Sequence, residues 1–133
     1  MIAMGDGRLR MEVIPLDRVT SEKKAFRALI HRQSPSGDER QKLRLDVWLK
    51  DLAPSPGLAE WFRSSSTQWA RFCDRYFREL ESKPSQWQEL VEIARREPVT
   101  LICATDACEL KATRALREFL SSKLGDCALP DVA

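Results

Sequence analysis

The side chains best suited to bind an anion or transfer a proton are His31 and Arg32, which are adjacent, and Asp106. His31 is the only histidine of the chain, and histidine is the side chain that gains and loses a proton near neutral pH. A guanidinium such as that of Arg32 binds carboxylates and phosphates through paired hydrogen bonds. These groups predict a site in which Arg32 holds a small anionic ligand while His31 or Asp106 handles a proton. The alternative is a histidine that packs at a strand end and has no chemical role.

The cysteines offer weaker chemistry. A structural zinc site needs four clustered ligands, usually in closely spaced pairs, and the chain contains no Cys-x-x-Cys pair. We therefore expect no metal ion, and because there is no Gly-rich phosphate loop we expect no nucleotide cofactor. Cys108 falls in the first turn of a predicted helix, where the positive end of the helix dipole can activate a thiol. It is a candidate reactive thiol, unless Cys103 and Cys108 are simply small apolar residues in a tight strand-to-helix turn.

The length, composition and charge of the chain limit the classes of protein to which it can belong. The chain has 133 residues, 43% hydrophobic and 32% charged, which is a globular balance for one domain. The formal net charge is +2, without a basic stripe, so nucleic-acid binding is disfavoured. No apolar run approaches the roughly 18 residues of a membrane span, and the N-terminus lacks the apolar core of a signal peptide. We expect a cytoplasmic protein with no membrane partner, and a homodimer is left open.

The elements that must position these groups alternate between strands and helices. Short strands are predicted at Arg10–Ile14, Ala25–His31 and Val99–Ala104, and the last is apolar throughout, as in a strand buried on both faces. About 60 residues separate the second and third strands and show helical spacing, beginning with Leu45, Trp48, Leu49 and Leu52. A further capping box is predicted at Ser65–Gln68. The last helix begins at Asp106, an acidic N-cap.

A long helical crossover between two strands implies that they pair in parallel. The predicted fold is therefore α/β: a small, mainly parallel sheet of about three strands with flanking helices, occupying residues 8–124 between tails at 1–7 and 125–133. The pairing of the first strand stays open. Ligands of such sheets bind beyond the carboxyl ends of the strands, which points to the segments 31–37 and 105–108 as facing loops.

The tryptophan-rich middle of the chain carries a family resemblance. Its motifs are Trp48-Leu49-Lys50-Asp51-x-Ala53-Pro54-Ser55, then Trp61-Phe62, then Trp69-x-x-Phe72-x-x-Arg75-Tyr76. The chain resembles the YeaO-like family of uncharacterised bacterial proteins (domain of unknown function 488) over roughly residues 10–122. The resemblance implies a shared fold but no established activity. The matches at Lys50 and Arg75 make both residues candidates for the site.

The polar positions depart from that family pattern. Where the family shows Asp-Arg-Leu-Trp-Pro-Arg-Gly, this chain has residues 31–37 and keeps only Arg32, Pro35 and Gly37. A shared framework with altered polar groups predicts a small-ligand-binding domain or a vestigial enzyme, so whether the protein is an enzyme stays open. The candidate ligand-binding residues are His31, Arg32, Lys50, Arg75 and Asp106. The alternative is a non-catalytic protein-interaction module that uses the surface around Trp61 or Trp87.

Overall fold

The computed structural model describes residues 11–65 and 67–124 in full, together with the backbone of the last helix to Val132. The predicted tail at residues 1–7 lies outside the described residues. The backbone of the last helix continues beyond the predicted boundary at residue 124. Among the described residues, no helix combines the length and the apolar character required to cross a lipid bilayer.

The centre of the molecule is a parallel sheet, which confirms the α/β class. Its four strands are β1 (Met11–Pro15), β2 (Phe26–Leu29), β3 (Val47–Trp48) and β4 (Val99–Cys103), in the spatial order β1-β4-β2-β3. β4 is buried along its whole length because it lies between two neighbours. The first strand pairs with β4, with Val13 opposite Leu101, which answers the question that the sequence left open.

Five helices surround this sheet in the described part of the chain: α1 (Gly37–Leu43), α2 (Pro56–Ser64), α3 (Trp69–Glu81), α4 (Pro84–Arg96) and α5 (Ala107–Val132). Local signals set several of their ends. The Ser55 hydroxyl accepts from the Leu58 amide at 3.4 Å, and proline occupies the first position of both α2 and α4, where its missing N–H costs nothing.

The predicted helix over Leu45–Leu52 is wrong. Arg44 takes a left-handed conformation (φ 52°, ψ 51°), which ends α1 and turns the chain back toward the sheet. The amides of Asp46 and Leu49 then donate to carbonyls of β2, each at 2.9 Å, and Val47–Trp48 becomes the edge strand β3. An eight-residue pattern could not distinguish these outcomes, and pairing with β2 decided between them.

One capping prediction is also wrong, and one capping box was not predicted. Gln68 is the N-cap of α3 and makes no side-chain capping bond, while Ser65 is instead the C-cap of α2, so the predicted box at Ser65–Gln68 is wrong. A reciprocal capping box occurs at the start of α1, where the predicted loop 31–37 ends. There the Ser36 hydroxyl accepts from the Glu39 amide, and the Glu39 carboxylate accepts from the Ser36 amide, each at 3.1 Å.

The core lies between the sheet and the helices α2 to α5. Phe72, Tyr76 and Leu80 form the buried face of α3, and the rings of Phe62 and Phe72 stack at 4.2 Å. Trp87 is 8% exposed, and its indole donates to the Leu80 carbonyl at 2.7 Å. Helix packing buries the Trp87 side chain, so this residue offers little exposed area to a protein partner.

Candidate functional site

A cleft of about 890 Å³ opens beyond the carboxyl ends of β2 and β4. Its walls are the chain that leaves β2, the segment that leads into α2, the end of α2 and the first turns of α5. Polar and apolar side chains share the lining: Ile30, His31, Arg32, Gln33, Ala53, Pro54, Pro56, Ala59, Glu60, Phe62, Arg63, Ser64, Phe72, Cys108, Glu109, Ala112 and Thr113. The position agrees with the rule that parallel sheets bind ligands at this edge.

The central polar contact of the cleft joins His31 to Glu109. His31 Nδ1 donates to Glu109 Oε1 at 3.1 Å, although the two residues are 78 positions apart in sequence. Both side chains are partly accessible, at 23% and 29% exposure. The indole of Trp48 donates to the His31 carbonyl at 2.7 Å, so the edge strand holds the backbone of the histidine in place.

Arg63 pairs with Glu109 and also with Asp106. Its Nη2 donates to Glu109 Oε2 at 3.3 Å and to Asp106 Oδ2 at 3.1 Å, and half of the side chain is exposed. Asp106 also caps α5, because its Oδ1 accepts from the Cys108 amide at 2.7 Å. That backbone bond is the largest influence on the pKa of Asp106 and lowers it; burial opposes this shift, and Arg63 reinforces it. Asp106 is therefore a carboxylate at neutral pH, and it shares the Arg63 guanidinium with Glu109.

Arg32 lies in the cleft wall and is already engaged. Its Nε donates to the Pro54 carbonyl at 2.9 Å, and its Nη2 donates to the Ala53 carbonyl at 3.3 Å. One residue earlier, the Leu52 carbonyl accepts from the buried hydroxyl of Tyr76. These contacts anchor the segment 52–54 against β2 and α3. Arg32 thus shapes the cleft, and Arg63 is the guanidinium that presents more of its surface to solvent.

Two of the predicted site residues lie elsewhere. Lys50 is exposed on a short 3₁₀ turn and does not contribute to the cleft lining. The guanidinium of Arg75 stacks over the Trp61 ring at 4.9 Å, on the outer side of α3. That contact also partly covers Trp61. His31 and Arg32 therefore line the cleft and Asp106 is linked to it through Arg63, whereas Lys50 and Arg75 lie outside the cleft.

The cysteines of this region differ in accessibility. Cys108 is partly exposed and lines the cleft beside Glu109, whereas Cys103 is fully buried at the end of β4. Burial is the largest influence on Cys103 and raises the pKa of its thiol. No group of three or more histidine, cysteine, aspartate or glutamate side chains is positioned to hold a metal ion within the described ranges.

Two residues of the site were missed from the sequence. Neither Glu109 nor Arg63 is among the ligand-binding residues that the sequence predicted. Glu109 could have been found from the sequence. It lies in the first turn of the helix that follows β4, and the ends of β2 and β4 are neighbours. Arg63 had no comparable signal, since its position depends on how α2 packs against α5.

Comparisons with known proteins place this framework in a family. Residues 11–130 match the family model DUF488-N3i, described as the inactive DUF488-N3 subclade. The uncharacterized protein YeaO of Escherichia coli is 29% identical over 97 residues, which cover 73% of this chain and 84% of YeaO. The uncharacterized proteins Rv3073c of Mycobacterium tuberculosis and Mb3100c of Mycobacterium bovis are each 30% identical, over 73% of this chain and 81% of theirs. No solved structure matches the chain significantly.

Proposed function

Because the chain belongs to the DUF488-N3i family of YeaO-like proteins, we propose that it is a non-catalytic domain that binds a small polar ligand in the cleft between β2 and β4. The observation that carries the proposal is the His31–Glu109 pair, which is partly exposed inside a cleft of about 890 Å³. That volume lies within the range of roughly 300–1,000 Å³ typical of small-molecule sites.

The lining suggests how a ligand would be held. Phe62 and Phe72 supply an apolar floor, while Glu109 and His31 supply hydrogen-bond groups on one wall. A ligand hydroxyl or amine would donate to Glu109, and an anionic or carbonyl group would accept from Arg63. We expect Arg63 to bind such a group rather than Arg32, because Arg32 donates to two backbone carbonyls already. The small anionic ligand expected from the sequence stays a prediction, with Arg63 in place of Arg32 as the group that binds it.

One observation favours binding over turnover: the family is described as an inactive subclade. His31 Nδ1–H donates to the Glu109 carboxylate, which also accepts from Arg63, so these three side chains form one polar network in the cleft. The predicted cytoplasmic location and the homodimer stay predictions, as does the absence of nucleic-acid binding.

The test begins with a thermal-shift screen of small polar metabolites against the full chain. A ligand that raises Tm should bind the variants Glu109→Gln and His31→Gln at least about tenfold more weakly, since a hydrogen bond to a charged group contributes roughly 1.5–3 kcal/mol. Glu118→Gln is the matched control, because Glu118 is an exposed glutamate of the same helix that pairs with Arg117. It should bind like the wild type.

Three results would contradict the proposal. Equal affinity of wild type and Glu109→Gln would place the ligand outside this cleft. Chemical conversion of the ligand, followed by NMR during incubation with the protein, would refute the non-catalytic assignment. A screen without any stabilising ligand, for a chain shown by circular dichroism to be folded, would remove the ligand-binding assignment as well.

The interaction module is a second candidate because one large apolar side chain is exposed. Trp69 is 41% exposed at the start of α3, while Trp61 is covered in part by Arg75 and Trp87 is buried. A partner that docks on this face would shield Trp69. Loss of binding in Trp69→Ala, with the ligand response of the cleft unchanged, would favour this candidate.

A further inference from the structure

A second groove, of about 530 Å³, lies on the other side of the α5 N-terminus, beyond the carboxyl ends of β1 and β4. We propose that this groove binds a phosphate group through the guanidinium groups of Arg18 and Arg114. Arg18 ends the 3₁₀ turn that follows β1, and Arg114 lies two turns into α5. The remaining lining residues are Val13, Ile14, Pro15, Asp17, Thr105 and Leu110.

Both guanidinium groups are available to an anion. Arg18 and Arg114 are exposed, and neither forms a salt bridge or a side-chain hydrogen bond with another residue in the part of the chain that the structure describes. Most other arginines near the sheet are engaged. Arg27 and Arg32 donate to backbone carbonyls, and Arg63 meets two carboxylates. Two unengaged guanidinium groups on one groove are therefore a local excess of positive charge.

The carboxylates near the groove leave that excess in place. Asp17 is the acidic residue of the lining, so the two arginines outnumber it. Asp106, at the nearby start of α5, directs Oδ2 to Arg63 in the first cleft and Oδ1 to the helix backbone. Its charge is compensated there. A phosphate carries more negative charge than a carboxylate and offers its oxygens to two separate guanidinium forks at once, so the pair favours phosphate.

The experiment titrates inorganic phosphate into the full chain at constant ionic strength, followed by calorimetry and by Tm. We expect saturable binding that weakens about tenfold or more in Arg18→Gln and in Arg114→Gln, because each substitution removes a charged hydrogen-bond donor. Asp17→Asn should bind phosphate more tightly than the wild type, since it removes the one repelling charge of the lining. Glycerol phosphate in place of inorganic phosphate distinguishes a phosphomonoester from the free ion as the preferred source.

Two controls separate this site from general ionic effects and from the first cleft. Arg117→Gln removes an arginine of the same helix that is paired with Glu118, and it should bind phosphate like the wild type. Glu109→Gln should also leave phosphate affinity unchanged. An absence of saturable binding, an equal loss in Arg117→Gln, unchanged affinity in both groove variants or equal binding of acetate would each overturn the proposal.

Discussion

Replacement of Tyr76 by phenylalanine should weaken the fold at the segment that shapes the first cleft. The Tyr76 side chain is 1% exposed, and its hydroxyl donates to the carbonyl of Leu52, which is itself fully buried. Phenylalanine keeps the ring contact with Phe72, whose centroid is 5.4 Å away, and removes only the donor. The Leu52 carbonyl would then lack a partner. A buried group left unsatisfied costs about 1–3 kcal/mol.

Chemical denaturation of wild type and Tyr76→Phe measures this cost directly, and for a chain of this size each kcal/mol corresponds to a Tm shift of roughly 3–6 °C. Ser82→Ala is the matched control, because the Ser82 hydroxyl also donates to a backbone carbonyl, at 2.7 Å, but at an exposed position. Its effect should stay below about 0.5 kcal/mol. Equal effects of the two substitutions would refute the argument from burial.

The pH dependence of this difference provides an independent check. Burial, reinforced by the charge of Glu79 and opposed by that of Arg32, raises the pKa of Tyr76 above its usual value of 10.0. The folded protein therefore keeps the phenol protonated where the unfolded chain releases the proton. The stabilisation is full below pH 10 and is lost as the pH rises above it, so the free-energy difference from Tyr76→Phe should shrink there.

Tyr76 is the only tyrosine of the chain, so ultraviolet titration reports its ionisation alone. Tyrosinate absorbance that appears near pH 10 while circular dichroism shows a folded chain would refute the burial of the phenol.

Three further predictions follow from other contacts. Arg27→Met should lower the free energy of unfolding by about 3 kcal/mol or more, since the buried guanidinium donates to three backbone carbonyls. Lys24 is exposed, so the control Lys24→Met should change that free energy by under about 0.5 kcal/mol in the same denaturation assay. Burial alone would raise the pKa of Asp46, but hydrogen bonds from a lysine and from the Arg27 amide outweigh it and lower the pKa below 3.8. Its contribution should therefore be present above pH 3.8 and lost as the pH falls further, so acid titration of stability should be shallower below pH 3.8 in Asp46→Asn. A water-soluble maleimide should label Cys108 well before Cys103 in the folded chain, which peptide mapping by mass spectrometry would show, and equal labelling would contradict the burial of Cys103.

Several elements could be predicted from local pattern alone. The apolar run of Val99–Ala104 predicted a strand buried on both sides, and β4 is buried along its whole length. Asp106 was recognised as a helix cap from its own type and neighbours. These predictions succeeded because the responsible interactions join residues within a few positions of one another.

The prediction failed where partners distant in sequence decided the structure. Residues 47–48 form a strand because β2 offers backbone partners. Local pattern cannot encode this outcome, since a helix and a strand both satisfy the same short apolar spacing.

The candidate site divides in the same way. The sequence by itself determined that His31 and Asp106 follow the second and last strands, and that parallel strand ends would bring those segments to one edge. Only the tertiary structure decided that His31 meets Glu109, that Arg63 bridges Glu109 and Asp106, and that Arg32 is occupied by backbone carbonyls. The physical reason is that strand order and helix docking set distances of a few ångströms between side chains, and a hydrogen bond depends on distances of that size.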